Sequence, residues 1–232
     1  HKLPPICRKL TIEEPEFYLE MNPVPNAYAM GDTRTMISVT SGLLEYLTEE
    51  EVSSVIAHEC GHIACRHMLY YTLAQMLFLN INKLGLLGKA VIPVYWALMY
   101  WSRRSELSAD RAAAVALCDA DKVVAFQIRL AGGPLSITKD VNVEEFVKQA
   151  DYYDSLQKNT WDNLLQNYAI LDSSHPFTAI RVREILKWSK TESYRQIIKT
   201  MQLQERGLIC PHCNKETEES WIYCKHCGRK IK

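Results

Sequence analysis

Across residues 16–40, apolar and polar positions fall into short runs separated by turn formers. Glu16-Phe17-Tyr18-Leu19-Glu20-Met21, Asn26-Ala27-Tyr28-Ala29-Met30 and Thr35-Met36-Ile37-Ser38-Val39-Thr40 read as extended segments, broken at Asn22-Pro23, Pro25 and Gly31-Asp32. They predict a small, mostly antiparallel sheet, after which Ser41-Gly42 leads into a short helix over 43–47. At Thr48 a helix start follows. Glu51, three residues on, completes a capping box, and the acidic Glu49, Glu50 and Glu51 occupy the positive first turn.

From 64 to 101 the chain is helical and unusually apolar. Two stretches, 68–81 and 84–101, are separated by Asn82-Lys83, and Lys89 and Pro93 interrupt the second. A bilayer span wants about 20 predominantly apolar residues. Two readings therefore stand: a helical hairpin packed on the domain core, and a hairpin that touches or enters a bilayer. Further helices are predicted over 102–117, 121–130 (ended by Gly132-Gly133-Pro134), 143–157, 160–170, from Pro176 to about 188, and 191–206 before Gly207. The fold class expected is α+β, mainly helical with a small N-terminal antiparallel sheet.

A chain of 232 residues suits one large domain or a main domain with a small appendage. Lys plus Arg and Asp plus Glu both number 27, so no global field recruits nucleic acid, and none is expected as a partner. The eight cysteines divide into a compact set, Cys210, Cys213, Cys224 and Cys227, and four scattered ones, Cys7, Cys60, Cys65 and Cys118. That split argues against a disulfide framework and for a reducing compartment, so a cytoplasmic location is expected, with the cytoplasmic face of a membrane as the variant. The scattered four read as buried small hydrophobes. The sequence opens on His1 without an initiator methionine, which reads as a fragment or a tag remnant; no targeting signal is read, and an upstream membrane anchor stays open.

The capped helix carries His58-Glu59-Cys60-Gly61-His62. At about 100° per residue, His58 and His62 project from one face a turn apart, as two imidazoles must to share a zinc ion. Glu59 beside them can take a proton from a metal-bound water. Hydrolytic zinc sites use three protein ligands, so a third must come from elsewhere. His67, five residues on, does not fit the three-histidine metzincin spacing. The best candidate is Glu106, four residues before Asp110 on the same helix face, with Asp110 free to orient a ligand histidine. The plain alternative makes both carboxylates solvated partners of Arg103 and Arg111.

Several segments together resemble the HtpX and CAAX-prenyl-protease family of gluzincin metalloendopeptidases. They are Asn26-Ala27-Tyr28-Ala29-Met30-Gly31, Val39-Thr40-Ser41-Gly42-Leu43-Leu44, the His58 to His62 motif, Ser105-Glu106-Leu107-Ser108-Ala109-Asp110, and His175-Pro176 with Arg181, over roughly 16–188. The resemblance implies that His58, His62 and Glu106 bind a catalytic zinc and that Glu59 is the base. It implies that His175 and Arg181 line or brace the cleft, and that the Asn26-Ala27-Tyr28 strand is the edge to which an extended peptide adds. His175 reads either as a hydrogen-bond donor to the developing oxyanion or as a loop residue ahead of a helix capped by Ser173 or Ser174. Membrane-integral members carry transmembrane helices between the two metal motifs, where this chain has the insert 63–105.

In the tail, Cys210-Pro211-His212-Cys213 and Cys224-Lys225-His226-Cys227 form a C-x2-C, ten residues, C-x2-C pattern, with Asn214 and Gly228 placed for a tight turn after each knuckle. Four thiolates at this spacing predict a structural zinc ribbon. The reading is then a zinc metalloprotease domain over 1–206, with the hairpin 68–101 between its metal motifs, and a ribbon over 207–232. The expected activity is zinc metalloendopeptidase (EC 3.4.24 type) on unfolded or extended polypeptide, with one catalytic and one structural zinc and a membrane surface as a further partner of 68–101. The alternative is a non-enzymatic or latent protease-like domain acting as a zinc-ribbon interaction module.

Overall fold

Pro4 and Pro5 sit where a helix has no use for their missing N–H groups, and a short helix α1 (Leu3–Leu10) starts there with Ile6 and Cys7 buried. The computed structural model describes residues 2–80, 83, 86–156 and 178–231. The helix read over 160–170 and His175 lie outside the described residues. The chain forms two compact units, His1–Leu186 and Lys187–Lys232.

The three extended runs become β1 (Glu16–Glu20), β2 (Ala27–Met30) and β3 (Met36–Thr40) in the order β1-β3-β2. β2 pairs antiparallel with β3, but β1 runs parallel to it, so the sheet is mixed rather than mainly antiparallel. Burial explains the order. Ile37, Ser38, Val39 and Thr40 are all buried, whereas Phe17, Tyr18 and Leu19 of β1 are exposed. β3 therefore takes the middle. Gly31, at φ +85°, turns the β2–β3 hairpin, and the connection 21–26 steps across the end of β3, where Gly42 donates its N–H to the Asn22 carbonyl at 2.9 Å.

Thr40 ends β3 and caps α2 (Ser41–Tyr46), its side chain accepting from the Leu43 N–H. Thr48 opens α3 (Glu49–Ala64) with the expected capping box: its Oγ1 accepts from Glu51 N–H at 3.3 Å, and Glu51 Oε2 accepts from Thr48 N–H at 2.8 Å. Arg66, at φ +55°, breaks the chain into α4 (His67–Asn80). The second apolar stretch and the predicted 102–117 helix are one 32-residue helix, α5 (Leu86–Leu117), running through Pro93. Nothing stops it at Ser102, because the Ser105 and Ser108 hydroxyls donate within the helix to the carbonyls of Ser102 and Ser105 at 2.7 and 2.9 Å.

α4 and the first half of α5 form the expected hairpin, joined by Phe78 against Tyr95 and Tyr70 against Trp101, with centroids 5.6 and 4.7 Å apart. Its outer face is apolar and exposed, including Leu73, Met76, Phe78, Leu79, Val94 and Tyr100. Among the described residues, no helix is long and apolar enough to cross a membrane.

α3 and the second half of α5 cross closely because their facing residues are small. A Cβ on Gly61 would lie 2.7 Å from the Ala109 carbonyl oxygen and 3.0 Å from the Ala112 Cβ. This crossing brings the two candidate metal motifs together. The unit continues with α6 (Ala120–Gly132), α7 (Leu135–Thr138), α8 (Val143–Leu156) and the start of α9 (Thr178–Ser189).

Within the second unit, α10 (Glu192–Glu205) is capped by Thr191 and precedes two cysteine knuckles. Each knuckle closes on a bond between its first cysteine and a residue of positive φ. Asn214 (φ 55°) donates to the Cys210 carbonyl at 2.9 Å, and Gly228 (φ 72°) to that of Cys224 at 2.8 Å.

Candidate active site

His58 and His62, one turn apart on α3, bring their Nε2 atoms to 3.1 Å. From α5, Glu106 Oε2 lies 3.4 Å from His58 Nε2, and Oε1 lies 3.5 Å from His62 Nε2. A tetrahedral ion with bonds of about 2.0–2.1 Å separates its ligand atoms by roughly 3.4 Å, so the three spacings fit zinc as well as the donor types do. The three ligand atoms lie within 4.8 Å of one another, and Glu106 is buried. The solvated alternative for Glu106 and Asp110 does not hold, since they are 7% and 1% exposed.

Asp110, one turn after Glu106, accepts from His58 Nδ1 at 2.9 Å. That bond fixes the tautomer that points the Nε2 lone pair at the centre. Arg181, from α9, closes the arrangement. Its Nε and Nη2 donate to Asp110 Oδ2 and Oδ1 at 2.8 and 2.6 Å, and its Nη1 lies 3.0 Å from Glu106 Oε2. It braces two carboxylates.

The electrostatics suit one cation at the centre. Burial opposes a charged His58, but its hydrogen bonds to the Asp110 and Glu106 carboxylates outweigh it and raise its pKa to about 9. Burial, helped by the neighbouring His58, pushes His62 down to about 3, so its lone pair stays available. Burial disfavours the Asp110 carboxylate too, yet Arg181 and His58 hold it at about 2.

His67 belongs to the same cluster, which its spacing from His62 concealed. On an unbroken helix, five residues would turn it about 140° away from His62. The break at Arg66 instead swings the buried His67 ring back, with Nδ1 at 3.0 Å from His62 Nδ1 and Nε2 at 3.2 Å from Ser108 Oγ. One proton assignment satisfies every member. His62 Nδ1–H donates to His67 Nδ1, His67 Nε2–H donates to Ser108 Oγ, and the Ser108 hydroxyl donates to the Ser105 carbonyl. His62 is thus oriented by a neutral relay, where His58 has a carboxylate.

Glu59, 6% exposed, lies on the wall of a cavity of about 450 Å³ together with His62, His67 and Glu106. Asn26, Ala27 and Tyr28 also line it, leading into and along β2, an edge strand of the sheet. Tyr28 donates its hydroxyl to Glu20 Oε2 at 3.1 Å. His175 falls outside the described residues.

In the second unit, the Sγ atoms of Cys210 and Cys227 are 3.8 Å apart and those of Cys213 and Cys224 are 3.7 Å apart. The four lie within 4.8 Å of one another, matching the roughly 3.8 Å edge of a tetrahedron of about 2.3 Å zinc–sulfur bonds. Burial raises the Cys210 thiol, but N–H groups of His212 and Cys213 outweigh it and bring the pKa down to about 6. Of the four scattered cysteines, Cys7 and Cys60 are buried, as expected, while Cys65 is exposed at the end of α3.

The model of peptidase family M48 matches residues 5–189. The chain is 36% identical over 193 residues to the plastoglobule-localized metallopeptidase 48, chloroplastic, of Arabidopsis thaliana, a match covering 82% of this chain and 56% of that protein. It is 28% identical over 196 residues to a protease HtpX homolog of Neisseria meningitidis, covering 72% of this chain and 66% of the relative. It is 36% identical over 99 residues to protease HtpX homolog 1 of Sulfurisphaera tokodaii. The chain thus spans a little over half of the first relative and just under two thirds of the second.

Proposed function

Because the chain belongs to peptidase family M48, we propose that it is a zinc-dependent metalloendopeptidase (EC 3.4.24 type) acting on extended or unfolded polypeptide. The observation that carries this reading is the triangle of His58, His62 and Glu106 beside Glu59, with His62, Glu106 and Glu59 lining a cavity that the edge strand β2 also lines.

In this reading His58, His62 and Glu106 hold the ion. Zinc, when bound, supplies a Lewis acid that polarises a carbonyl and lowers the pKa of water to about 7. Glu59 takes the proton of the attacking water on its carboxylate and returns it to the leaving amine. Asp110 and the His67–Ser108 relay hold the two imidazoles in their binding tautomers, and Arg181 keeps Asp110 ionised. The backbone of Asn26, Ala27 and Tyr28 pairs with the substrate as an added strand, which stretches the scissile bond across the cavity. His175 serves as a donor to the oxyanion.

The four thiolates of Cys210, Cys213, Cys224 and Cys227 hold a second, structural zinc. The exposed apolar face of the α4–α5 hairpin supports contact with a membrane surface, and the cysteine usage supports the cytoplasmic side. The test is cleavage of unfolded casein. Zinc-loaded protein should cut it, a chelator should stop cleavage and added zinc should restore it. Cleavage that survives complete metal removal would refute the reading.

A further inference from the structure

β1 is the other edge of the sheet, on the side of β3 away from the cavity strand β2. Glu16 donates its N–H to the Thr35 carbonyl at 3.0 Å, so in this parallel pair the main-chain groups of Glu16, Tyr18 and Glu20 point at β3. Those of Phe17 and Leu19, by alternation, point away from the sheet.

The side chains of these two residues set the edge apart. Phe17 and Leu19 stand in register with Ile37 and Val39 and share their sheet face, where Ile37 and Val39 are 0% exposed. One strand further out, Phe17 is 45% and Leu19 54% exposed. The apolar face therefore continues past the cover that buries β3. Charge, a common protection of an exposed edge, stands on the opposite face with Glu16 and Glu20 and leaves Phe17 and Leu19 unshielded.

We propose that β1 is a docking edge for an extended polypeptide segment of the pattern basic, apolar, any residue, apolar, basic, which adds antiparallel to it. This does not depend on the peptidase reading. The outward main-chain groups of Phe17 and Leu19 supply the pairing, and apolar side chains opposite them extend the same face. On the other face, lysine or arginine stands opposite Glu16 and Glu20. Exposed Glu13 and Glu14, just before the strand, add to the acidic field, which Arg34 offsets only in part through its ion pair with Glu16. A second copy of this chain fits less well. Paired along all five residues, it sets Glu16 against Glu20 of the other copy twice, and like charges directly opposite destabilise a strand pair.

The experiment titrates the zinc-loaded full chain into two labelled peptides and follows anisotropy, one peptide carrying the pattern with lysine and leucine and the other with glutamate replacing lysine. The lysine peptide should bind about tenfold or more tightly, and added salt should weaken it. Equal binding of the two would overturn the proposal. Hydrogen exchange on the unmodified protein locates the contact. The lysine peptide should slow exchange at the amides of Phe17 and Leu19, whereas slowing along β2 instead would place it in the cavity and overturn the proposal. Leu19→Pro removes one outward N–H without touching the bonds to β3, and should weaken binding by about tenfold. Glu16→Lys combined with Glu20→Lys should invert the preference toward the glutamate peptide, so the test does not rest on the proline variant keeping its strand. Binding unchanged in both variants would overturn the proposal. Sedimentation of the protein alone examines the rival occupant, and a dimer that Leu19→Pro dissociates would identify a second copy and overturn the proposal as well.

Discussion

Arg181 holds Asp110 by both of its carboxylate oxygens, at 2.8 and 2.6 Å, across a sequence separation of 71 residues. Asp110 Oδ1 also accepts from His58 Nδ1 at 2.9 Å. The orientation of one candidate zinc ligand therefore depends on a guanidinium from α9.

Arg181→Ala should leave a buried carboxylate without its counterion and destabilise the main unit by about 3–5 kcal/mol. Arg181→Lys should recover only part of this, because an ammonium cannot reproduce the two parallel bonds. Thermal unfolding of the zinc-loaded proteins measures both. An alanine variant as stable as the parent would mean that the pair does not hold the site together.

The His62–His67–Ser108 relay makes a different prediction, read in metal affinity. His67→Phe keeps a ring against Trp101, which meets His67 edge to face with centroids 5.3 Å apart, but removes the acceptor for His62 Nδ1–H. Zinc at the His58, His62, Glu106 site should bind about 10- to 100-fold more weakly. His67→Asn can present an oxygen near the lost nitrogen and should come within a few-fold of the parent. Competition with a chromophoric chelator measures both, and equal affinity in the Phe variant would remove His67 from the site.

How much of this was legible in the sequence follows the range of the interactions. The capping box at Thr48 and Glu51, the pairing of His58 with His62, and the positive-φ turns at Asn214 and Gly228 depend on residues within four positions, and their spacing alone predicts them. Glu106 and Asp110 are legible as a helix pair, but their placement against α3 depends on the close approach at Gly61 and Ala109. The turn formers predict an antiparallel β1 where the β1–β3 pairing is parallel, because strand order is decided by which strand is most buried and not by the turns between strands. The spacing of His67 does not reveal its place in the cluster, because that depends on the backbone break at Arg66.

The two ligand sets differ in chemistry and stand in separate units, so they should lose metal separately. Purified protein should hold two zinc ions per chain in this account. Replacing Cys210 and Cys213 with serine should release one ion and leave cleavage of a short peptide within a few-fold of the parent. Retention of both ions in that variant would contradict the ribbon assignment.

In the peptidase reading Glu59 moves the proton while His58, His62 and Glu106 hold the metal. Measuring kcat on a peptide alongside zinc content for Glu59→Gln tests it most directly. The account predicts a fall in kcat of about 100-fold or more with the zinc content unchanged. A variant that retains activity within a few-fold of the parent, or that loses the zinc together with the activity, would contradict it.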